Sequence, residues 1–394
     1  MTFLEEHYGK DYSRATPEEL EALKSENEAR AAEAEGRDQP VVDHMPTWLN
    51  MTNTTRCNLR CIMCNQAAGK IEALTMEKGI YEKIVREFYP FLRVVQLTAI
   101  GEPLMTPSLP SKIDDMLRYG VKLEMVTNGV LLEGDGLLEK LARAAHLVIV
   151  SLDGATAGTY ESIRVGARFE KVMENLRRFN EFREARPPES RPRLQFNYIL
   201  MRRNIEELPR FVELAAGLGA EAVICNHLVL FEEGLEEEML EKEPALSNRM
   251  TALAADRARE LGIHLVVPPP FPEGSEESPK EEEPPGPEED EPDPGSLGEE
   301  GEEGPYRGER CPFLWRRVYL GPRGEVVPCC LAGVESFGSL KETPFLEIWN
   351  GPKYRLWRAR VHTNRPAGPC GSCYLINRNP TRADFRKTRP QEEN

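Results

Sequence analysis

Six short apolar segments alternate with amphipathic segments between residues 48 and 229. The apolar segments have the length of buried β-strands, and the apolar residues between them recur with the period of an α-helix. The predicted strands are 48–52, 94–100, 122–127, 146–151, 193–201 and 221–229. The predicted helices between them are 76–89, 109–119, 137–144, 169–183 and 205–218. This alternation predicts an α/β fold in which right-handed crossovers curl a parallel sheet into a partial (β/α)6, TIM-like barrel.

The segments outside this repeat differ in composition. Residues 1–45 form a charged arm, in which Thr16-Pro17-Glu18-Glu19 combines an N-cap, a proline in the first turn and a capping box. This pattern predicts a helix over 17–35, and its few apolar residues lead us to expect loose packing. Residues 268–305 are rich in proline and glycine and hold fifteen acidic residues against one lysine. Such a composition predicts a disordered acidic linker.

The linker divides the chain into a barrel over 46–267 and a small domain over 306–380, followed by a tail over 381–394. The linker also accounts for most of the net charge of −16, so the rest is nearly neutral and indicates no nucleic-acid partner. No apolar run reaches the length of about 18 residues that a membrane span needs. The start of the chain lacks the basic and apolar segments of a secretory signal. We therefore expect a cytoplasmic protein, whose nine cysteines serve metal binding or catalysis rather than disulfides.

Cys57, Cys61 and Cys64 follow the first predicted strand with the spacing C-x3-C-x2-C. A loop of this kind can present three thiolates to one cubane iron–sulfur cluster, whereas a cluster that only carries electrons normally has four cysteine ligands. The fourth iron is then open to a substrate or cofactor. Zinc is the alternative, but a zinc site needs a fourth ligand, and no Cys or His occurs within the 80 residues after Cys64.

The segment Cys57-Asn58-Leu59-Arg60-Cys61, placed after a first strand, resembles the radical S-adenosylmethionine (SAM) superfamily. The resemblance implies that the open iron binds SAM and that an electron from the [4Fe-4S] cluster cleaves SAM to methionine and a 5′-deoxyadenosyl radical. The three cysteines are then catalytic as well as metal ligands. A flavodoxin- or ferredoxin-type electron donor is also implied.

Polar residues follow the second, third and fourth predicted strands, at the carboxyl ends where ligands bind in such folds. Glu102 can accept a hydrogen bond from an ammonium group, and Ser151 and Asp153 are placed to bond ribose hydroxyls. In the family the matching segments are a Gly-Gly-Glu-Pro motif that contacts the SAM amine and a ribose motif. Ile100 stands where the family usually has the first glycine. The expected SAM contacts at these strand ends are Gly101, Glu102, Pro103, Asn128, Ser151 and Asp153.

Three further polar residues are candidates for the same site. Arg164 could pair with the SAM carboxylate, although an Arg exposed on a helix surface fits the pattern equally well. Asn197 lies on the fifth predicted strand, and His227 ends the sixth. Because the ordinary pKa of histidine lies near neutrality, His227 is a candidate acid or base; a structural, hydrogen-bonding histidine is the alternative.

A second cysteine set follows the linker and comprises Cys311, Cys329, Cys370 and Cys373. We predict a hairpin with a thiol near each end, made of a strand over 315–320, a glycine-containing turn and a partner strand over 326–329. The C-x2-C pair Cys370 and Cys373 completes the set. Four thiolates fully ligate a metal centre. On spacing alone, a zinc ribbon and an electron-transfer cluster fit equally.

The pattern Cys311-x12-Gly324-x4-Cys329, followed by Trp349-Asn350-Gly351, resembles the SPASM extension of radical SAM enzymes. With four suitable cysteines, this region resembles the shorter twitch form of the extension, which implies one auxiliary [4Fe-4S] cluster. Cys330 is an alternative ligand to Cys329.

These features predict a radical SAM enzyme. The single auxiliary cluster favours oxidation of a small sugar, polyol or aminocyclitol, with that cluster accepting the electron. The alternative substrate is a ribosomally made peptide or protein. Two other hypotheses are a non-catalytic zinc-binding module and an electron-transfer protein, and the latter conflicts with the three-cysteine first set.

Overall fold

One ten-stranded sheet forms the centre of the protein. The computed structural model describes residues 1–66, 69, 71–97, 100–230, 234–272, 310–329, 334–363 and 366–373. The strands are β1 Trp48–Met51, β2 Val94–Leu97, β3 Lys122–Thr127, β4 Ala145–Ser151, β5 Arg193–Leu200, β6 Ala222–His227, β7 His264–Val266, β8 Arg317–Leu320, β9 Glu325–Val327 and β10 Gly338–Ser339. They are ordered β10-β9-β8-β1-β2-β3-β4-β5-β6-β7.

Helices connect the strands and cover the outside of the sheet. They are α1 Phe3–His7, α2 Pro17–Gly36, α3 Lys78–Glu87, α4 Leu109–Arg118, α5 Asp135–Ala144, α6 Ala157–Ile163, α7 Phe169–Glu184, α8 Leu208–Gly217, α9 Pro244–Leu261, α10 Phe313–Arg316, α11 Phe345–Trp349 and α12 Pro352–Arg360. None of the helices in the described ranges is long and apolar enough to cross a membrane.

The parallel core confirms the predicted fold class. All six predicted strands are present as β1 to β6, with ends displaced by up to three residues, and neighbouring strands pair in parallel. The sequence did not predict β7, which adds a seventh parallel strand beside β6. Because β7 has only three residues and no full alternation, it gives a weak periodic signal.

The two faces of the sheet differ in polarity. Along β1, Leu49 and Met51 are fully buried in the hydrophobic core, while the intervening Asn50 hydrogen-bonds Gln96 of β2. Strand residues alternate between faces, so one face packs against the helices and the other is polar. Apolar residues of the helix-facing set include Leu49, Val95, Leu123, Val148 and Phe196.

The N-terminal arm packs tightly on the body, so our expectation of loose packing is wrong. In α2, Lys24 is 2% exposed and donates hydrogen bonds to the carbonyl oxygens of Tyr119 and Gly120, at 2.5 and 3.1 Å. Asn27 is fully buried and exchanges two hydrogen bonds with the Met45 backbone. These anchors are polar, so a search for apolar residues overlooks them.

The C-terminal domain continues the sheet of the barrel. β8 pairs in parallel with β1, from Trp48 opposite Arg317 to Met51 opposite Leu320. The predicted strand over 315–320 is partly wrong, because its first two residues belong to α10. There Trp315 is buried and donates from Nε1 to the carbonyl oxygen of Gln39 at 2.9 Å, a contact that a local pattern cannot reveal. Apart from 268–272, the predicted linker lies outside the described residues, as does the tail.

Candidate active site at the carboxyl ends of the strands

The loop after β1 carries the first cysteine set and is held by backbone hydrogen bonds at both ends. Near its start, the Thr55 N–H donates to the carbonyl oxygen of Leu74 at 2.9 Å. Near its end, the Arg60 N–H donates to the carbonyl oxygen of Val165, just after α6, at 2.9 Å, and the Ile62 N–H donates to that of Ile163, the last residue of α6, at 3.0 Å. The loop therefore depends on its neighbours for its shape, since its described residues 52–66 form no helix or strand.

The three thiols of this loop are electrostatic neighbours, and two of them face hydrogen-bond donors. Cys57 interacts with Cys64, and Cys61 interacts with Cys57. Asn128 Nδ2 lies 3.8 Å from Cys57 Sγ, and Arg164 Nη1 lies 3.6 Å from Cys61 Sγ. Burial raises the pKa of Cys57 and of Cys61. Donors aimed at sulfur suit thiolate ligands, so this set fits an iron–sulfur cluster held by three cysteines.

Gly101 allows the segment after β2 to touch the cysteine loop. Its φ is +90°, and a Cβ there would lie 2.5 Å from the carbonyl oxygen of Thr54 and 2.8 Å from that of Arg56. The next residue, Glu102, donates its backbone N–H to the Arg56 carbonyl at 2.8 Å. Only glycine combines this backbone angle with so close an approach.

The Glu102 carboxylate is buried and links two strand ends. One oxygen accepts hydrogen bonds from Thr127 Oγ1 at 2.8 Å and from the Leu104 N–H at 3.1 Å; the other accepts from the Asn128 N–H at 2.7 Å. Burial raises the Glu102 pKa, although these hydrogen bonds oppose the rise. Pro103 begins a short 3₁₀ turn over Pro103–Met105. Both oxygens of Glu102 therefore already hold the ends of β2 and β3 together. The predicted SAM amine would be an additional partner of the same carboxylate.

Arg164 and Asp153 form a buried ion pair beside Cys61. Arg164 Nε donates to Asp153 Oδ2 at 2.5 Å, and Asp153 Oδ1 accepts from the Ile199 N–H at 2.7 Å. Burial opposes the charge of Arg164, but the Asp153 carboxylate outweighs it and raises the guanidinium pKa. The sequence predicted that Asp153 bonds the ribose of SAM and that Arg164 pairs with the SAM carboxylate. The structure adds that the two side chains orient each other.

The other predicted residues lie at different places along the same edge. Ser151 pairs in register with Asn197 across β4 and β5, and both are partly exposed. Asn197 Oδ1 accepts from Gln195 Nε2 at 3.1 Å. His227 ends β6, two strands from β4, with its ring centroid 5.2 Å from that of Phe271. The structure thus brings Ser151 and Asn197 together and sets His227 further along the edge.

The thiols of the second cysteine set are electrostatic neighbours. Cys370 has Cys311, Cys329 and Cys373 as electrostatic neighbours. Burial raises the pKa of Cys311 to about 11, although the backbone N–H groups of α10 bond its sulfur and oppose the rise. Two of the four thiols are carried by the short 3₁₀ segment Gly368–Ser372 and its cap. Their number and type fit the ligand set of a fully ligated cluster, but no three of the described thiols are grouped closely enough to hold a single metal ion. Cys330, the alternative ligand, lies outside the described residues.

One contact at this second set has no counterpart in the sequence predictions. His362 Nε2 accepts the backbone N–H of Cys311 at 2.8 Å, and its Nδ1 lies 2.6 Å from Asp38 Oδ1. Since Nε2 accepts, Nδ1 carries the proton and donates to Asp38. The Trp315 ring stacks on His362 at 5.5 Å. The N-terminal arm is therefore joined to Cys311, a predicted ligand 273 residues away, and no short motif signals such a pairing.

Two family matches agree with this geometry. Residues 51–215 match the Radical SAM superfamily, and residues 311–374 match SPASM, an iron–sulfur cluster-binding domain. This chain belongs to the radical SAM superfamily. Its first domain binds SAM and a [4Fe-4S] cluster, and its SPASM domain binds auxiliary iron–sulfur. The protein is thus a radical SAM enzyme, and the match to an iron–sulfur family does not support the zinc-module hypothesis.

Relatives of known function align with both parts of the chain. AdoMet-dependent heme synthase of Methanosarcina barkeri is 28% identical over 333 residues, covering 81% of this chain and 86% of that protein. PqqA peptide cyclase of Granulibacter bethesdensis is 24% identical over 331 residues, covering 81% and 77%. The solved structure of anSMEcpe with bound AdoMet and Cp18Cys peptide matches with a TM-score of 0.56 at 14% identity, covering 89% and 92%. At that identity the solved structure shows a shared fold alone.

Proposed function

We propose that this radical SAM enzyme modifies a ribosomally made peptide or a protein by removing a hydrogen atom from one of its C–H bonds. The match to PqqA peptide cyclase carries the proposal, because it covers 81% of this chain and so reaches well beyond the radical SAM domain. The small-sugar prediction rested on the number of auxiliary cysteines. The relatives support the peptide alternative better.

The residues at the carboxyl edge would hold the cofactors and exclude water. When bound, the cluster and SAM supply the radical that breaks the C–H bond. Asn128 and Arg164 direct N–H groups at the cysteine sulfurs, and Glu102 fixes the strand ends around them. Ser151 and Asn197 offer a hydroxyl and an amide at the same edge. We assign the SAM contacts to these residues, and we propose a flavodoxin- or ferredoxin-type protein as electron donor.

A tetrapyrrole is the second candidate substrate. The match to AdoMet-dependent heme synthase spans the same share of this chain as the cyclase match, at 28% identity. Peptide and tetrapyrrole differ enough in chemistry for one assay to separate them.

The test uses anaerobically purified enzyme supplied with iron, sulfide, SAM and a strong reductant. Small peptides encoded next to its gene and a set of tetrapyrrole carboxylates are offered separately, and 5′-deoxyadenosine and product masses are measured. We expect 5′-deoxyadenosine and a mass change in a peptide. A variant with Cys57→Ala, Cys61→Ala and Cys64→Ala should form neither product. A mass change confined to a tetrapyrrole would contradict the peptide proposal.

A further inference from the structure

The polar face of the sheet carries a row of side chains at one level of the barrel, which we call the inner row. Register places Asn50 of β1 opposite Gln96 of β2, and Gln96 opposite Glu124 of β3. On the other side, Asn50 is opposite Tyr319 of β8. Residues directly opposite each other share a face, so the inner row crosses four strands. One of these strands belongs to the SPASM domain.

Hydrogen bonds fix the direction of the inner row. Gln96 Nε2 donates to Glu124 Oε1, and Asn50 Nδ2 donates to Gln96 Oε1. Because Glu124 Oε1 accepts, the amide of Gln96 must present its oxygen to Asn50, and Asn50 must present its nitrogen in return. The remaining amide oxygen, Asn50 Oδ1, then points away from the chain of hydrogen bonds.

Two polar atoms of β1 remain unpaired among the described residues. Asn50 is 2% exposed, yet its Oδ1 has no hydrogen-bond partner. Trp48, two residues earlier on the same strand face, has a buried Nε1–H that also lacks a partner. Buried polar groups in folded proteins are nearly always paired. An unpaired acceptor and an unpaired donor, with Cα atoms about 7 Å apart along the strand, therefore indicate a place for a ligand.

The neighbours of these atoms hold them in position. The guanidinium of Arg317, from β8, lies 3.8 Å from the centroid of the Trp48 ring, which fixes the indole by a cation–π contact. His146 Nε2 lies 3.7 Å from Glu124 Oε2, the His146 side chain is 23% exposed, and its ring centroid lies 6.4 Å from that of Trp48. Arg317 and His146 therefore flank the Trp48 indole, and His146 connects it to Glu124 of the inner row at a partly solvent-exposed border.

The inner row is separate from the strand ends assigned above. Glu124 precedes Asn128 by four residues, so its Cα lies about 13 Å deeper along β3. A ligand bound at the inner row would therefore sit inside the barrel, below the residues of the carboxyl edge.

We infer that Asn50 Oδ1 and Trp48 Nε1 bind one backbone peptide group of the substrate. A peptide group offers an N–H to the acceptor and a C=O to the donor, which is the complement of the two unpaired atoms. Gln96 and Glu124 act as positioning residues that orient the Asn50 amide. This inference rests on the proposed function, since it names the part of a peptide substrate that the barrel recognises.

The indole signals of the holoenzyme give a direct test. The chain has four tryptophans, so a ¹⁵N spectrum shows four indole N–H signals, and the Trp48→Phe variant identifies that of Trp48. The probe is N-acetylglycine N-methylamide, which contains complete peptide groups. We expect a saturable shift of the Trp48 signal and about fivefold weaker binding in the Asn50→Leu variant, as for the loss of one hydrogen bond. N,N-dimethylacetamide, which has no N–H, should bind about fivefold more weakly than the probe.

Trp349→Phe is the matched control. Trp349 Nε1 donates to the carbonyl oxygen of His44 at 3.0 Å in the core. This variant should therefore lower the unfolding temperature more than Trp48→Phe, whose N–H is unpaired in the free protein, and should bind the probe as the wild type does.

The outcomes separate this inference from the proposed function. No saturable shift of Trp48, equal binding in Asn50→Leu, or a shift given by tetrapyrrole carboxylates and not by the amide would overturn the inference. If a peptide is modified equally well by Asn50→Leu, the inference fails while the proposed function stands. If the probe binds as expected but no peptide is modified, the proposed function fails while the peptide-group site stands.

Discussion

At Gly101 the chain reaches φ +90° with two carbonyl oxygens within 3 Å of the position of a Cβ. We predict that Gly101→Ala strains the backbone by about 1–3 kcal/mol and pushes the cysteine loop away from β2. If this strain is borne by the active conformation, anaerobically reconstituted protein should cleave SAM about 5- to 150-fold more slowly, since 1.4 kcal/mol corresponds to a factor of ten. The measurement is 5′-deoxyadenosine formed per iron.

The matched control for this change is Gly136→Ala. Gly136 lies in the first turn of α5, where an added Cβ would meet no atom within 4 Å, and its φ is not positive. The Gly136→Ala variant should therefore cleave SAM at the wild-type rate. Equal rates in both variants would show that the close contact at Gly101 has no bearing on the loop.

The Arg164–Asp153 pair gives a second prediction. Arg164→Gln leaves Asp153, which is fully buried, without its cation. Removing one partner of a buried pair costs about 3–5 kcal/mol, so the unfolding temperature should fall and the cluster at Cys61 should be lost more readily. Iron retained after gel filtration reports the second effect. Arg168→Gln, at an exposed pair with Glu161, should change neither quantity; a similar loss there would refute the special role of Arg164.

His44 predicts how stability depends on pH. It is fully buried, and burial lowers its pKa from 6.5 to about 3. Between these values the unfolded chain binds a proton that the folded chain does not, so stability is complete above pH 6.5 and falls as the pH drops towards 3. From pH 7.5 to 5.5, the wild type should lose about 1.4 kcal/mol more stability than His44→Gln. Parallel changes of unfolding temperature in both proteins would contradict this.

At the scale of elements, a histidine takes part in the contact between the end of α2 and the SPASM domain. His362 connects Asp38, just after α2, with the backbone N–H of Cys311. Groups that orient metal ligands typically change metal affinity about 10- to 100-fold when altered. We predict that His362→Ala retains less auxiliary iron during anaerobic dialysis, while the first cluster stays bound, as iron content and electron paramagnetic resonance would show. His264→Ala, at an exposed position of β7, should retain both clusters.

The elements show which features the sequence could predict. The six central strands and the C-x3-C-x2-C loop are local, because period and spacing are written within a few residues. Glu102 was recognisable as a strand-end carboxylate, but its bonds to the end of β3 were not. The contacts of the buried Lys24 and the orientation of Asn50 depend on residues distant in sequence. The Arg164–Asp153 pair joins residues 11 positions apart across the end of β4 and α6. Pairings of this kind leave no periodic trace in the sequence.

At the scale of the whole molecule, the two domains are joined by a shared sheet. β1 pairs with β8, and the backbone of Val42 exchanges two hydrogen bonds, both of 2.9 Å, with the Asn350 side chain. We predict that a protease site placed within 281–290 can be cut and that both fragments still elute together with SAM cleavage intact. Residues 1–272 produced alone should aggregate, because β1 then presents an unpaired edge. Separation of the cut fragments on gel filtration would contradict the prediction.

The β1–β8 pairing also has a consequence during biosynthesis. About 270 residues separate Trp48 from its partner Arg317. At about 5–20 residues per second, a ribosome adds β8 roughly 15–55 s after β1. During that interval one side of β1 has no strand to pair with, and the second cysteine set has not yet been made. The enzyme can therefore complete its sheet only after β8 has been made, and its auxiliary site only after Cys373 has followed.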